Sequence, residues 1–301
     1  MAHIPVLLKE AIELLDPQSG DFVIDGTFGA GGHTKEILEK VGETGKVLAI
    51  DWDADAIKKG GTKLVRQKNI ILEQGNYADL PEIIAKLHKA SPSIPLRASG
   101  LLIDLGFSSE QMDESERGFS FNRTEPLDMR YDTSEGETAG EIINSYPEKD
   151  LADIFWKYGE ERFSRIAARK IVEARRLKKI LTSKDLADIV EQAIPRRRGK
   201  VWSKIHPATR IFQALRIYVN KELENLEKAL MNLDEVVKSK GRVCIISFHS
   251  LEDRMVKIRF RELQKEQKAE ILTKKPVIPT DEEVLNNPRS RSAKMRAIKL
   301  I

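Results

Sequence analysis

Three aspartates and four glycines carry the chemistry that can be read from this chain of 301 residues. Gly26, Gly29, Gly31 and Gly32 fall within seven residues directly after Asp25, in DFVIDGTFGAGGHT over residues 21–34. Glycines remove side chains where backbone must come close to a ligand, and a helix starting just beyond them offers unpaired N–H groups. Asp25 closes one apolar run, Asp51 follows a second, KVLAI, and Asp104 follows a third, SGLLI. A carboxylate ahead of the glycines suits a ligand that brings a cation to the loop. One about 20 residues beyond it, at the end of a second strand, is placed to accept from both hydroxyls of a ribose.

S-adenosylmethionine meets both demands, with its adenosine ribose and an amino acid that carries an ammonium beside a sulfonium. The spacing is not GxGxxG and no GK[ST] follows, which disfavours a dinucleotide fold and a P-loop. The plain alternative is a tight turn that holds no ligand.

An open parallel sheet is the element that would bring these residues together. Phe22, Val23 and Ile24 read as a buried strand, followed by the glycine turn and a helical pattern from Thr34. Residues 46–50, 69–73 and 99–105 supply three more strands. Ligands of open sheets sit beyond the carboxyl ends of the strands, where Asp25, Asp51 and Asp104 would share one crevice. Tyr77, after the third strand, lies where an adenine ring rests in such folds; it either packs on that ring or is an ordinary half-buried aromatic.

The rest of the chain frames this unit. Residues 5–15 predict an amphipathic helix, and Pro81 starts another. From Gln111 the α/β rhythm stops, and helical patterns fall at 139–144, 149–158, 162–174 and 184–193. Thr182 with Asp185 three residues on resembles a capping box. The expected organisation is a discontinuous sheet domain, 1–110 and 208–301, with an inserted all-helical subdomain at 111–207 that caps the crevice. One long helix from Ala208, apolar at Ile211, Leu215, Val219, Leu223, Leu226, Leu230 and Leu233, is expected to pack on the sheet. RVCIISF at 242–248 is the expected fifth strand, 251–263 a helix, 271–278 a weak strand and 296–301 a terminal one.

Composition narrows the class. A formal charge of +4 is too small to argue nucleic-acid binding from the total, so only local clusters can carry it. Those clusters are Arg175, Arg176, Lys178 and Lys179; Arg196, Arg197, Arg198 and Lys200; and Arg289, Arg291, Lys294 and Arg296. Any one alone reads as a solvated face, whereas together they fit a polyanion lying across both domains. The single Cys244 excludes an intrachain disulfide, a four-cysteine zinc site and a protein-held iron–sulfur cluster, and reads as a buried structural thiol. His33, His206 and His249 are widely separated without an HExxH spacing, so no metal is expected. The first residues are broken by charges and read as neither signal peptide nor membrane span; a cytoplasmic protein is expected.

Longer motifs now become informative. HIPVLLKE at 3–10, DGTFGAGGHT at 25–34, DLGFSSEQMD at 104–113 and RGFSFNRTEPLDMR at 117–130 are followed by HPATRIFQALRIYVNKEL at 206–223, ISFHSLEDR at 246–254 and NPRSRSAKMRA at 287–297. In these, and in their order, the chain resembles end to end the bacterial small-subunit ribosomal RNA cytosine-N4 methyltransferases. The resemblance implies a class I (Rossmann-like) S-adenosylmethionine-dependent methyltransferase sheet with a helical insertion, methylating the N4 of a cytidine in the decoding region of 16S rRNA. It implies cofactor positions at Gly31, Gly32, His33, Asp51, Tyr77, Asp104 and Gln111, to which the residue reading adds Asp25 and Gly29. It makes the segments around His206 and His249 walls of the substrate crevice. The expected partner is 16S rRNA in the small subunit, with no membrane and no obligate protein partner.

Methyl transfer needs alignment more than covalent chemistry, because the accepting nitrogen must lie in line with the methyl carbon with water excluded. Amino-group methyltransferases acting on DNA usually carry [DNS]PP[YFW] after the fourth strand, whereas here that place holds DLGFSS. Asp104 is the candidate catalytic residue, orienting the accepting amine, or else it binds only the methionine moiety. Phe119 and Phe121 either stack on an extruded base or pack the insertion. Arg196, Arg197 and Arg198 are the candidate RNA contacts. Competing readings are a DNA or other RNA acceptor, a non-catalytic ribosome-assembly factor, and an NAD-linked enzyme.

Overall fold

The computed structural model describes residues 4–64, 67–106, 116–194 and 206–301. They form two compact units, residues 1–108 with 223–301 and residues 109–222.

The first unit is built on a seven-stranded sheet. β1 (Phe22–Asp25), β2 (Lys46–Asp51), β3 (Ile70–Gln74), β4 (Ala98–Asp104) and β5 (Val237–Ser247) are parallel, and β7 (Lys294–Leu300) runs antiparallel between β5 and β6 (Ala269–Ile271). The order β3-β2-β1-β4-β5-β7-β6 reverses between β1 and β4, the switch point at which open sheets bind ligands. This is the Rossmann-like sheet that the resemblance implies.

The apolar runs of these strands follow from burial on both faces. Phe22, Ile24, Leu48, Ile50, Leu101, Ile103 and Ile245 face one core layer. The alternate residues Val23, Val47, Leu102, Cys244 and Ile246 face the other. Helices α1 (Leu8–Leu15), α2 (Gly32–Val41), α3 (Ala54–Lys63) and α4 (Leu80–Ala90) accompany the first four strands. Burial pushes the Cys244 thiol up to about 12, so it is an inert core group. Among the described residues no helix is long and apolar enough to cross a membrane.

The second unit is helical: α5 (Ala139–Ser145), α6 (Glu148–Gly159), α7 (Ser164–Leu177), α8 (Ser183–Ala193) and α9 (Ala208–Val219). Capping boxes at Thr138–Glu141 and Thr182–Asp185 start α5 and α8, each satisfying donors at both ends of the first turn. Gly159 lets α9 approach α6 closely, since a Cβ there would lie 2.5 Å from the Arg210 carbonyl oxygen.

The long helix expected from Ala208 is a correction. It stops at Val219 and resumes as α10 (Glu222–Met231) and α11 (Leu233–Val236). Asn220, 3% exposed, turns its side chain to the backbone: Nδ2 donates to the Met129 carbonyl at 2.7 Å and Oδ1 accepts from Tyr131 N–H at 2.7 Å. Lys221 then takes a positive φ of 50°, which ends the helical path. The apolar stripe is therefore two stripes. Ile211 and Leu215 are buried on α9, which packs on α6, while Leu226, Leu230 and Leu233 join the sheet core. The boundary expected at 207/208 consequently falls at 222/223.

Candidate active site

The glycine turn is pinned across the switch point by its own backbone. Gly26 N–H donates to the Leu102 carbonyl of β4 at 2.8 Å, and Phe28 N–H to the Ile50 carbonyl of β2 at 2.7 Å. Phe28 is 3% exposed and fills the space beneath the turn. A Cβ on Gly31, whose φ is +81°, would lie 2.8 Å from the Phe28 ring. One on Gly32 would lie 2.2 Å from Pro5 Cγ. Contacts within the protein thus already require these two glycines, a reason independent of ligand approach. Gly29 keeps a positive φ of 53° and its N–H donates to Asp51 Oδ2 at 2.8 Å.

Asp51 ends β2 half-buried. Oδ1 accepts from Asp53 N–H at 2.9 Å and Oδ2 from Gly29 N–H. The Trp52 N–H bonds the carboxylate as well, so of its about four acceptor positions roughly one remains. Burial raises its pKa to about 6 despite these bonds.

Asp25 departs from expectation. It is fully buried, with Oδ1 accepting from Thr27 N–H at 3.2 Å and Oδ2 from the Thr34 hydroxyl at 2.5 Å. It braces the turn against the start of α2 instead of facing a ligand. Burial raises its pKa to about 7, and the charges of Asp104 and Asp51 add to the rise. Bonds to Thr27 and Gly29 place all three strand-end aspartates on this turn.

Asp104 is held from both sides: its N–H donates to Thr27 Oγ1 at 2.6 Å, and Oδ1 accepts from Gly106 N–H at 3.0 Å. Oδ2 lies 3.9 Å from His33 Nδ1. The opposite ring nitrogen, Nε2, is 3.1 Å from the Val6 carbonyl oxygen. A carbonyl only accepts, so Nε2 carries the proton and Nδ1 presents a lone pair. Burial lowers the His33 pKa to about 4, which keeps the ring neutral. Tyr77 opens a short 3-10 turn, Tyr77–Asp79, beside Gly26, where an added Cβ would lie 3.3 Å from Tyr77 Cβ. The sheet therefore gathers Asp51, Tyr77, His33 and Asp104 around the glycine turn. Gln111 and Arg196–Arg198 lie outside the described residues.

Elsewhere the expected residues divide. Phe119 is 8% exposed, with Tyr131 stacked on it at 5.7 Å and the Arg117 guanidinium over its ring at 5.6 Å. Those neighbours fit the packing alternative. Phe121 stacks on His206 at 4.7 Å and meets Phe212 edge-on at 5.3 Å, so two expected substrate residues form one aromatic group. His249 begins α12 (Ser250–Lys265) as its cap: Nδ1 accepts from Glu252 N–H at 3.4 Å, and Glu252 Oε2 accepts from His249 N–H at 3.2 Å. Arg175 donates to the Ile143 and Tyr146 carbonyls at the end of α5, and Arg296 pairs with Asp253 at 2.7 Å. Two of the clustered cations are thus partly committed to the fold.

Sequence reasoning did not single out Val6, Thr27, Phe28 or Thr34 as parts of this site. Thr27, Phe28 and Thr34 sit inside the motif it did single out; Val6 acts through its backbone carbonyl and carries no side-chain signal.

The profile of the MraW methylase family matches residues 1–301. A ribosomal RNA small subunit methyltransferase H from Desulfotalea psychrophila is 48% identical over 295 residues, covering 98% of this chain and 96% of that protein. One from Syntrophobacter fumaroxidans is 42% identical over 314 residues, covering 99% of this chain and 96% of that protein. Among solved structures, an rRNA methylase from Streptococcus thermophilus aligns with a TM-score of 0.43 at 10% identity, covering 98% of this chain and 93% of that one.

Proposed function

The chain belongs to the MraW methylase family, and we propose that it transfers a methyl group from S-adenosylmethionine to the exocyclic N4 of a cytidine in the decoding region of 16S rRNA. Two relatives at 42% and 48% identity, named for small-subunit ribosomal RNA methylation, support the RNA class. The N4 acceptor rests on the resemblance of the motif blocks. The observation that carries the cofactor reading is the convergence of Asp51 and the neutral His33–Asp104 pair on one glycine turn.

The residues present fit this cofactor. Asp51 has acceptor capacity left for a ribose hydroxyl. Tyr77 would pack on the adenine, and the resemblance adds Gln111 to the cofactor positions. His33 Nδ1 and Asp104 Oδ2 are two acceptors 3.9 Å apart, a setting for the ammonium of the methionine moiety. When bound, the cofactor supplies an electrophilic methyl on a sulfonium.

The protein's part is to orient the cytosine amine and exclude water. The N4 lone pair is delocalised into the ring, so the amine must be held at about 3–3.5 Å from the methyl carbon, in line with the breaking bond. The Phe121–His206 pair is the candidate contact for the extruded base, and Arg196, Arg197 and Arg198 for RNA phosphates. No general base is assigned, since the proton leaves to water once the methyl has moved.

The test is methyl incorporation from labelled S-adenosylmethionine into small subunits from cells lacking the gene, followed by nucleoside analysis. N4-methylated cytidine is the expected product. A methyl group at another atom, or transfer to DNA in preference to subunits, overturns the acceptor assignment.

A further inference from the structure

Helix α12 packs along the outer strands of the sheet. Lys257, Phe260, Arg261 and Gln264 repeat on it at the spacing of a single helix face. With Ile271, Thr273, Lys274 and Arg296 they line a cavity of about 320 Å³. Four of these eight side chains are cationic and none is a carboxylate. Phe260, 2% exposed, gives the cavity an apolar floor.

The cations are not equivalent. Arg296 is 8% exposed and donates from Nε and Nη2 to the two carboxylate oxygens of Asp253, at 2.7 and 3.3 Å. The fork is thereby immobilised, with two of its five N–H donors used. Lys257, Arg261 and Lys274 have no ion-pair partner among the described residues. Thr273 Oγ1 accepts from Ala297 N–H at 2.9 Å, which leaves its own O–H to donate. Like charges gathered without counter-charges repel one another, and an anion relieves that repulsion.

We propose that this cavity seats backbone phosphates of the RNA substrate on the strand flanking the acceptor nucleotide. The inference rests on the RNA methylation reading above. The length of the site favours a strand over one small anion. Lys257 and Gln264 are separated by seven residues along α12, about 10 Å at the helical rise, more than a single phosphate spans. Asp104 pairs with Ile246 and Ile246 with Met295, so Arg296 lies two strands along the sheet from Asp104, with its side chain on the α12 face, opposite the face of Leu102 and Met295. Two inter-strand spacings are about 10 Å, within the reach of nucleotides flanking the acceptor on the same strand.

The test compares the full-length protein with the triple variant Lys257→Gln/Arg261→Gln/Lys274→Gln, using small subunits from cells lacking the modification. The expected result is a KM for subunits raised about tenfold at moderate salt, with kcat and S-adenosylmethionine affinity unchanged. The slope of log affinity against log salt should become shallower by about 2, close to 0.7 for each of three lost contacts. A second variant, Lys257→Arg/Lys274→Arg, keeps the charge and should retain the parent KM. A triple variant that methylates with unchanged KM and salt slope overturns the proposal, as does an equal loss in the charge-keeping variant, which would mark a packing role. Failure of the unmodified protein to methylate RNA would overturn the functional reading itself, and it is recognised separately because it appears without any substitution.

Discussion

His33 Nδ1 and Asp104 Oδ2 face each other at 3.9 Å, and both are hydrogen-bond acceptors. The Val6 carbonyl fixes that state, because it holds the ring proton on the far nitrogen. A pair of acceptors set just beyond bonding distance is a receptor for a donor with several protons, and an ammonium has three.

Asp104→Asn should therefore weaken S-adenosylmethionine binding by about 10- to 100-fold, the worth of a hydrogen bond to a charged group. His33→Ala should weaken it less. The double variant should lose less than the sum, since the proposed ammonium site uses both side chains. Calorimetric titration measures all three. Unchanged affinity with lost turnover would reassign Asp104 to the accepting amine.

The buried carboxylates predict a pH dependence with a definite sign. Asp25 titrates near 7 and Asp51 near 6 in the fold, against 3.8 for an ordinary aspartate. A group whose folded pKa is raised contributes stability that is full below about pH 4 and lost as pH rises through the folded value. Asp25→Asn should accordingly gain stability relative to the parent between about pH 4 and 7, measured by melting each protein across that range. His33, lowered to about 4, acts with the opposite sign and cancels in this comparison. Affinity for the cationic cofactor should rise over the same window, as Asp51 and Asp25 ionise.

Gly32→Ala should destabilise the protein by about 1–3 kcal/mol, the usual cost of overpacking, because the new Cβ would lie 2.2 Å from Pro5 Cγ. Gly32 is helical without a positive φ, so no backbone strain adds to the clash. Pro5→Ala should recover most of the loss in the double variant. No recovery in a thermal melt would show that the N-terminal segment does not pack on the turn.

Asn220→Ala leaves the Met129 carbonyl and the Tyr131 N–H without their side-chain partner. A loss of about 2 kcal/mol is expected, because buried polar groups left unmade cost about 1–3 kcal/mol each and water recovers part of that. Denaturant unfolding of the helical unit, followed by its tyrosine fluorescence, measures it. A midpoint unchanged from the parent would mean that α9 ends for another reason.

Much of the fold was legible in the sequence because it is written locally. Residues 22–24 and 46–50 are short apolar runs closed by aspartates, and strand ends are where an open sheet binds its ligand. Thr182 with Asp185 announced the start of α8 for the same reason, since a capping box needs only residues three apart. The whole-chain family likewise followed from ordered motifs.

Only tertiary structure decided what each polar group was for. Asp25, Asp51 and Asp104 look alike in the sequence, yet Thr34 and burial turn Asp25 inward while Asp51 keeps acceptor capacity. The Pro5–Gly32 contact, the Val6 bond to His33 and the Asp253 pairing of Arg296 join residues 27 to 43 positions apart. The two halves of the stripe from Ile211 to Leu233 have the same period, so periodicity could not reveal that they serve different cores; Asn220, bonded to backbone about 90 residues earlier, makes that division. Local pattern specifies elements and their ends, whereas partners distant in the chain set burial, and burial sets charge.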